Sequence, residues 1–317
     1  MLTALDSEGN FVNLLENVPE KGAFICPACK GKLRLKCGKI KRPHFAHVSL
    51  QNCAVWSENE SAQHLGLKAA LYQWFQASGC KVEIEKYLSD LQQTPDLLVD
   101  DRIAIEVQCS HLSIARLRER TENYRAHGFQ VIWLMGRDLW LTHQLTSLQR
   151  DLIYFSENCG FYFWELDLAQ KELRLKSLLH QTLRGKLIYL ERAFDFGEGN
   201  LLNILRLPFA AQKLQSLIVP ADRNLQAFIR QQLYFRVSHW MAFQEQFYAA
   251  GKNLLTEDLT CFPSAVPIGL SALTGEISQD FCQIPHDLSN YYRNFQEYFR
   301  KNKSNTAYPP AFYKREL

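Results

Sequence analysis

Between Ala62 and Phe75 the apolar residues Ala62, Leu65, Ala69, Tyr72 and Phe75 recur at three- and four-residue spacing, the period of an amphipathic helix, and predict one over Ser57–Gln76. Ser57 and Glu60 have capping-box spacing at its start, and Gly79 lies just past its end. The period then drops to two. Over Lys81–Leu88, Val82, Ile84 and Tyr87-Leu88 alternate with Glu83, Glu85 and Lys86, which predicts a strand. Asp96–Val99 and Ile103–Val107 are short β-type runs parted by the turn Asp100-Asp101-Arg102. Ser113 caps a helix to about Ala126, with Ile114, Leu117 and Tyr124 inward, and Gln130–Met135 is a continuous apolar run of strand length. A further hairpin is expected from Phe161–Leu166 and Glu172–Leu178. Helix, three strands, helix, strand is an order of the α/β (α+β) class.

The flanks read differently. Leu2–Leu5 and Phe11–Leu14 predict two strands joined by a turn at Glu8-Gly9-Asn10. Toward the other end, Ala211–Ile218, Asn224–Phe247 and Leu288–Lys301 carry helical periodicity, and Pro263, Pro267, Gly269, Gly275 and Pro285 mark a loop-rich stretch between them. The expected division is a small β module over 1–56, an α/β domain over 57–180 and a mostly helical domain over 181–317. A length of 317 residues suits two or three domains, and 47% hydrophobic with 22% charged residues excludes a disordered or fibrous chain. There is no internal repeat and no Gly-rich phosphate loop. The opening residues carry Asp6, Glu8, Glu16 and Glu20 and lack the basic and apolar regions of a signal peptide. With no long apolar segment and an odd count of 9 cysteines, the expectation is a cytoplasmic chain with reduced thiols and no membrane partner.

The net charge of +3 makes the chain no polycation, so nucleic-acid affinity must come from local clusters. One exists: Lys21, Lys30, Lys32, Arg34, Lys36, Lys39, Lys41 and Arg42 follow one another without an Asp or Glu. Lys32, Arg34, Lys36, Lys39, Lys41 and Arg42 are the candidates for phosphate contact. The same window holds Cys26-Pro-Ala-Cys29 and His44-Phe-Ala-His47. Two thiolates and two imidazoles suit a tetrahedral Zn²⁺, and metal is a common staple where a core is thin. Cys37 and Cys53 are alternative ligands, and a strand with both His hydrogen-bonded is the competing reading.

The α/β segment carries a second constellation. In a hairpin Asp96 and Glu106 sit side by side, and Gln108 shares the face of Glu106. Two carboxylates in apolar strands are costly unless paired or bound to a cation, and oxygen donors suit Mg²⁺ or Mn²⁺. Glu60, His64 and Lys68 form an i, i+4, i+8 stripe on the preceding helix, and Arg120 and Tyr124 an i, i+4 pair on the next. Blander roles stand beside these: Glu60 as capping acid, Lys68 as exposed charge, Arg120 as a bridge to Glu60 or Glu106.

The blocks CPAC, GKIKRPHFAH, SENESAQHLGLK, TPDLLV, IAIEVQCSHLS and RERTENYRAHGFQVIWLMG, in that order over about residues 1–140, resemble the competence protein CoiA family. The resemblance implies a zinc-finger-like start, a restriction-endonuclease-like PD-(D/E)xK domain and a helical end. It also implies a role in natural transformation, in which incoming single-stranded DNA is processed or recombined in the cytoplasm alongside recombination proteins. Asp96 is then the PD aspartate and Glu106 the second acid. Gln108 stands where that pattern has lysine, and Lys68 is placed to substitute in space. Arg120 and Tyr124 resemble the Gln-x-x-x-Tyr element of RecB-like exonucleases, with Arg in place of Gln. Two functions follow: a metal-dependent deoxyribonuclease, or a catalytically weak DNA-binding adaptor on a nuclease scaffold.

Overall fold

The computed structural model of the chain describes residues 1–20, 22–49, 53, 60–258 and 262–316. Five short strands come first: β1 (Thr3–Leu5), β2 (Phe11–Asn13), β3 (Phe24–Ile25), β4 (Lys32–Lys36) and β5 (His44–His47). Then come α1 (Ala62–Ala77), β6 (Val82–Ile84), β7 (Leu97–Val99), β8 (Ile103–Gln108), α2 (Ile114–Ala126), β9 (Gln130–Met135) and α3 (Ser147–Asp151). β10 (Tyr154–Ser156), β11 (Gly160–Asp167), β12 (Glu172–Thr182), β13 (Leu187–Asp195), α4 (Leu201–Arg206) and β14 (Leu217–Ile218) follow. The chain closes with α5 (Leu225–Tyr234), α6 (Ser238–Ala249), β15 (Ala265–Pro267), α7 (Ser289–Asn302), β16 (Thr306–Ala307) and α8 (Pro310–Glu316).

The first five strands make one antiparallel sheet, ordered β2-β1-β3-β4-β5, over a small core of Met1, Ala4, Phe24, Leu33 and Phe45. The second sheet runs β13-β12-β11-β9-β8-β7-β6, with β10 joined to β11 and β15 to β12. It is mixed: β8 and β9 pair in parallel through the α2 crossover, while β7 and β8 form an antiparallel hairpin. Side chains on successive strand residues point to opposite faces. Accordingly Ile103, Ile105 and Val107 join Leu65, Leu71 and Phe75 of α1 in one core, whereas Ala104 joins Leu117 and Tyr124 of α2 and Trp133 of β9 in another. Among the described residues no helix is long and apolar enough to cross a membrane.

Several predicted elements shift. α1 begins at Ala62, because the Ser61 hydroxyl accepts from the His64 N–H at 3.1 Å and is the N-cap; Glu60 therefore precedes the helix, and Ser57 lies outside the described residues. The strand from Lys81 stops at Ile84, where Glu85 takes φ +50° and turns the chain out of the ladder. Ala211–Ile218 is not a helix. Leu217-Ile218 pairs with β16 instead, and Pro220 biases the Leu-Ile-Val run before it toward extended backbone. The helix over Asn224–Phe247 breaks into α5 and α6 at Arg236, φ +53°. The boundary at residue 180 falls inside β12, which pairs along its length with β13, so the α/β sheet extends beyond it.

Candidate active site and metal centre

The β7–β8 register pairs Leu97 with Ile105, which extends to Asp96 opposite Glu106. The two carboxylates nevertheless serve different partners. Alternation puts Glu106 on the α2 face beside Trp133, its cross-strand neighbour. There Glu106 Oε1 accepts from the Tyr124 hydroxyl at 2.6 Å and the Arg120 guanidinium at 2.5 Å. Burial raises the Glu106 carboxyl above its usual range against the pull of Arg120, and the charge of Asp96 adds to the rise. Asp96 stands one residue outside β7 and escapes that alternation. Its Oδ2 accepts from the Val107 N–H at 2.8 Å and lies 3.0 Å from His64 Nε2.

Around Asp96 the α1 side of the sheet gathers charge. Lys68, wholly buried, has Nζ in contact with Glu60 and Glu85 and 3.5 Å from Asp96 Oδ1. His64 Nδ1 lies 3.4 Å from Glu60 Oε1. Burial works against every charge here but is outweighed. The Lys68, amino-terminal and His64 charges hold Glu60 down to about 2, His64 and Lys68 hold Asp96 well below the carboxylate range, and the acids raise Lys68. One oxygen or nitrogen each from Glu60, His64 and Asp96 lies within 4.8 Å of the others. These are donors that suit Mg²⁺ or, with imidazole included, Mn²⁺. Beside the expected Asp96–Glu106 pair the structure thus sets a second grouping: Asp96 lies with Glu60 and His64, and Glu106 is engaged by Arg120 and Tyr124. Gln108 turns away, its amide donating to Ser110 O at 2.8 Å.

Glu85 is the residue that sequence reasoning missed. Alternation sets it beside Glu83 as a solvent-facing strand acid, but the positive φ after Ile84 turns it inward. Its Oε2 accepts from the N–H groups of Leu2 and Thr3 at 2.7 and 3.0 Å and from the Thr3 hydroxyl at 3.1 Å, while Oε1 meets Lys68. One carboxylate thus joins β1 of the first sheet to the buried lysine of α1.

In the first sheet Cys26, Cys29, His47 and Cys53 bring one donor atom each within 4.8 Å of one another. Cys29 Sγ lies 3.4 Å from His47 Nε2 and accepts the Gly31 N–H at 3.4 Å. A Cβ on Gly31 would come 3.1 Å from that sulfur, so the bare glycine keeps the knuckle open. Burial pushes the Cys26 thiol up to about 12, a cost that zinc would offset by stabilising the thiolate. Three thiols and an imidazole fit Zn²⁺. His44 is corrected out of this set. An odd spacing on β5 puts it on the opposite face from His47, and its Nδ1 lies 2.9 Å from Arg42 O. Cys37 is exposed and outside the group.

Lys32, Arg34 and Lys36 line the exposed face of β4, with Leu33 and Leu35 beneath. Lys39 and Arg42 are exposed too, whereas Lys41 is drawn in, donating to Glu60 O at 2.7 Å; Lys21 lies outside the described residues.

This α/β segment matches a family of nuclease-like domains. The family model "Competence protein CoiA, nuclease-like domain" matches residues 60–199, and "Competence protein CoiA, N-terminal domain" matches 10–56. Together they span more than half of the sequence, and the chain belongs to the competence protein CoiA family. Competence protein CoiA of Bacillus subtilis (strain 168) is 36% identical over 116 residues, a stretch covering 36% of this chain and 31% of that relative's length. No solved structure matches significantly.

Proposed function

We propose that the chain is a metal-dependent deoxyribonuclease of PD-(D/E)xK type that processes incoming single-stranded DNA during natural transformation. The observation that carries this reading is the meeting of Glu60, His64 and Asp96 donor atoms beside the buried Lys68. Glu60, His64 and Asp96 would hold Mg²⁺ or Mn²⁺. That ion, when bound, offsets the charge that builds on phosphodiester oxygens during hydrolysis. Lys68 takes the part of the lysine absent at Gln108: its ammonium holds a phosphate oxygen or orients water. Glu106, fixed by Arg120 and Tyr124, braces β8 against α2. Lys32, Arg34, Lys36, Lys39 and Arg42 lead the phosphate backbone toward the cleft, and zinc on Cys26, Cys29, His47 and Cys53 holds that basic surface in shape.

The test is incubation of purified protein with single- and double-stranded DNA plus Mn²⁺. Wild type should cleave, and Asp96→Asn should lose roughly 10²-fold or more of the rate with its fold intact. Cleavage undiminished in Asp96→Asn would mark a contaminant and end the reading. The adaptor reading draws on one feature: β8 carries Gln108, bonded to Ser110, in place of lysine. It expects salt-dependent DNA binding and recruitment of cytoplasmic recombination proteins without cleavage by wild type.

A further inference from the structure

The α5–α6 hairpin turns its apolar faces inward. Leu225, Ile229, Trp240 and Phe243 form its own small core with Leu254. At the corner between the helices the pattern reverses. Tyr234 is 80% and Phe235 64% exposed, their rings 5.3 Å apart and nearly perpendicular. Adjacent large rings left in water forgo the gain of burial, and exposed apolar groups in a cluster mark contact sites more often than single ones do. Cations flank them. Arg230, four residues before Tyr234, lies on the same face of α5, and Arg236 is the corner residue itself. No Asp or Glu occurs between Asp222 and Glu245, and among the described residues no carboxylate pairs with Arg230 or Arg236.

We propose that this corner is a second nucleic-acid-binding element, stacking bases of a single strand on Tyr234 and Phe235 and meeting the adjoining phosphates with Arg230 and Arg236. Flat rings together with unpaired guanidinium groups match a flexible polyanion whose bases are free to stack. A membrane surface fits less well, because insertion needs an apolar helix face and that of α5 is spent on Trp240 and its neighbours. The inference rests on the DNA-directed reading above, and none of its residues belongs to the carboxylate cleft.

Fluorescence anisotropy with a labelled oligothymidylate, in EDTA to prevent cleavage, tests it on the full chain. Tyr234→Ala with Phe235→Ala should weaken binding about tenfold or more, at base-stacking energies of ~1–3 kcal/mol. Replacing both rings with Trp should restore it. Arg230→Glu with Arg236→Glu should lower the slope of log affinity against log salt by about 1.4, the share of two phosphates on a single strand. Duplex binding should be indifferent to the ring changes. Unchanged oligothymidylate affinity in the double-alanine variant, at unchanged melting temperature, overturns the proposal. So does a ring-dependent change in sedimentation, or in binding to anionic vesicles, without a change in DNA affinity. The DNA-directed reading fails separately, when wild type neither binds nor cleaves; ring variants that bind as wild type sink the corner alone.

Discussion

The thiol cluster of the first sheet and the carboxylate cleft of the second both bury groups that prefer water, but they compensate them differently. Cys26, Cys29, Cys53 and His47 converge on one another, and burial drives the Cys26 thiol up to about 12. In the cleft each acid already faces a cation: Glu60 and Glu85 face Lys68, and Asp96 faces His64, while Glu106 on the other face of the sheet is held by Arg120. A metal bound in the thiol cluster would therefore stabilise the folded first sheet itself. A metal in the cleft must compete with cations already in place, which suits an ion that comes and goes with substrate.

Three changes probe the contrast, the largest effect first. Protein purified without chelator should carry about one zinc per chain. Cys53→Ser should lose it and His44→Ala keep it, and zinc loss should melt the first sheet, because structural zinc supplies apparent energies on the order of 10 kcal/mol. Elemental analysis and circular dichroism read both; equal retention in the two variants would break the assignment of Cys53. Next, Lys68→Met should destabilise the chain by about 3–5 kcal/mol in urea, since buried acids lose their counter-charge. Adding Glu85→Gln should recover part of that loss, and strict additivity of the two changes would mean that Glu85 and Lys68 do not act as a pair.

The smallest effect calibrates the other two, using a buried titratable group that has neither metal nor ion pair. His180 is fully buried, its Nδ1 2.8 Å from Leu178 O and its Nε2 without a partner, and burial lowers it from 6.5 to about 4. Above the unfolded value the ring is neutral in both states and costs nothing. As pH falls from about 6.5 toward 4 the unfolded chain gains a proton that the folded chain refuses, so stability is lost. The difference is about 2 kcal/mol at pH 5. Urea unfolding of wild type and His180→Phe at pH 7 and pH 5 should show wild type losing more by that amount. Parallel losses would show that the ring titrates normally in the fold.

The hairpin that carries Asp96 and Glu106 was legible in the sequence because β7 and β8 are short β-type runs parted by a local turn, α2 was legible from its cap and period, and α7 from its period. The division of the acids between two faces was not. It depends on Asp96 lying one residue outside the ladder, a matter of register and not of composition. Glu85 was hidden by a single backbone angle. The reach of the sheet into β15 was hidden because that pairing is non-local: β15 joins β12 across more than eighty residues.

The double grip of Glu85 bears on how such a chain can be cut. Its carboxylate takes three donors from Leu2 and Thr3 on one side and Lys68 on the other. A truncation that starts at residue 60, where the nuclease-like match begins, would leave an acid built for burial with three of its four donors gone. The first sheet and the nuclease-like segment are therefore tied through β1, which lies ahead of both matched segments. Any other front sheet set in its place would have to offer Glu85 the same two backbone N–H groups and hydroxyl, or leave a buried carboxylate short of donors.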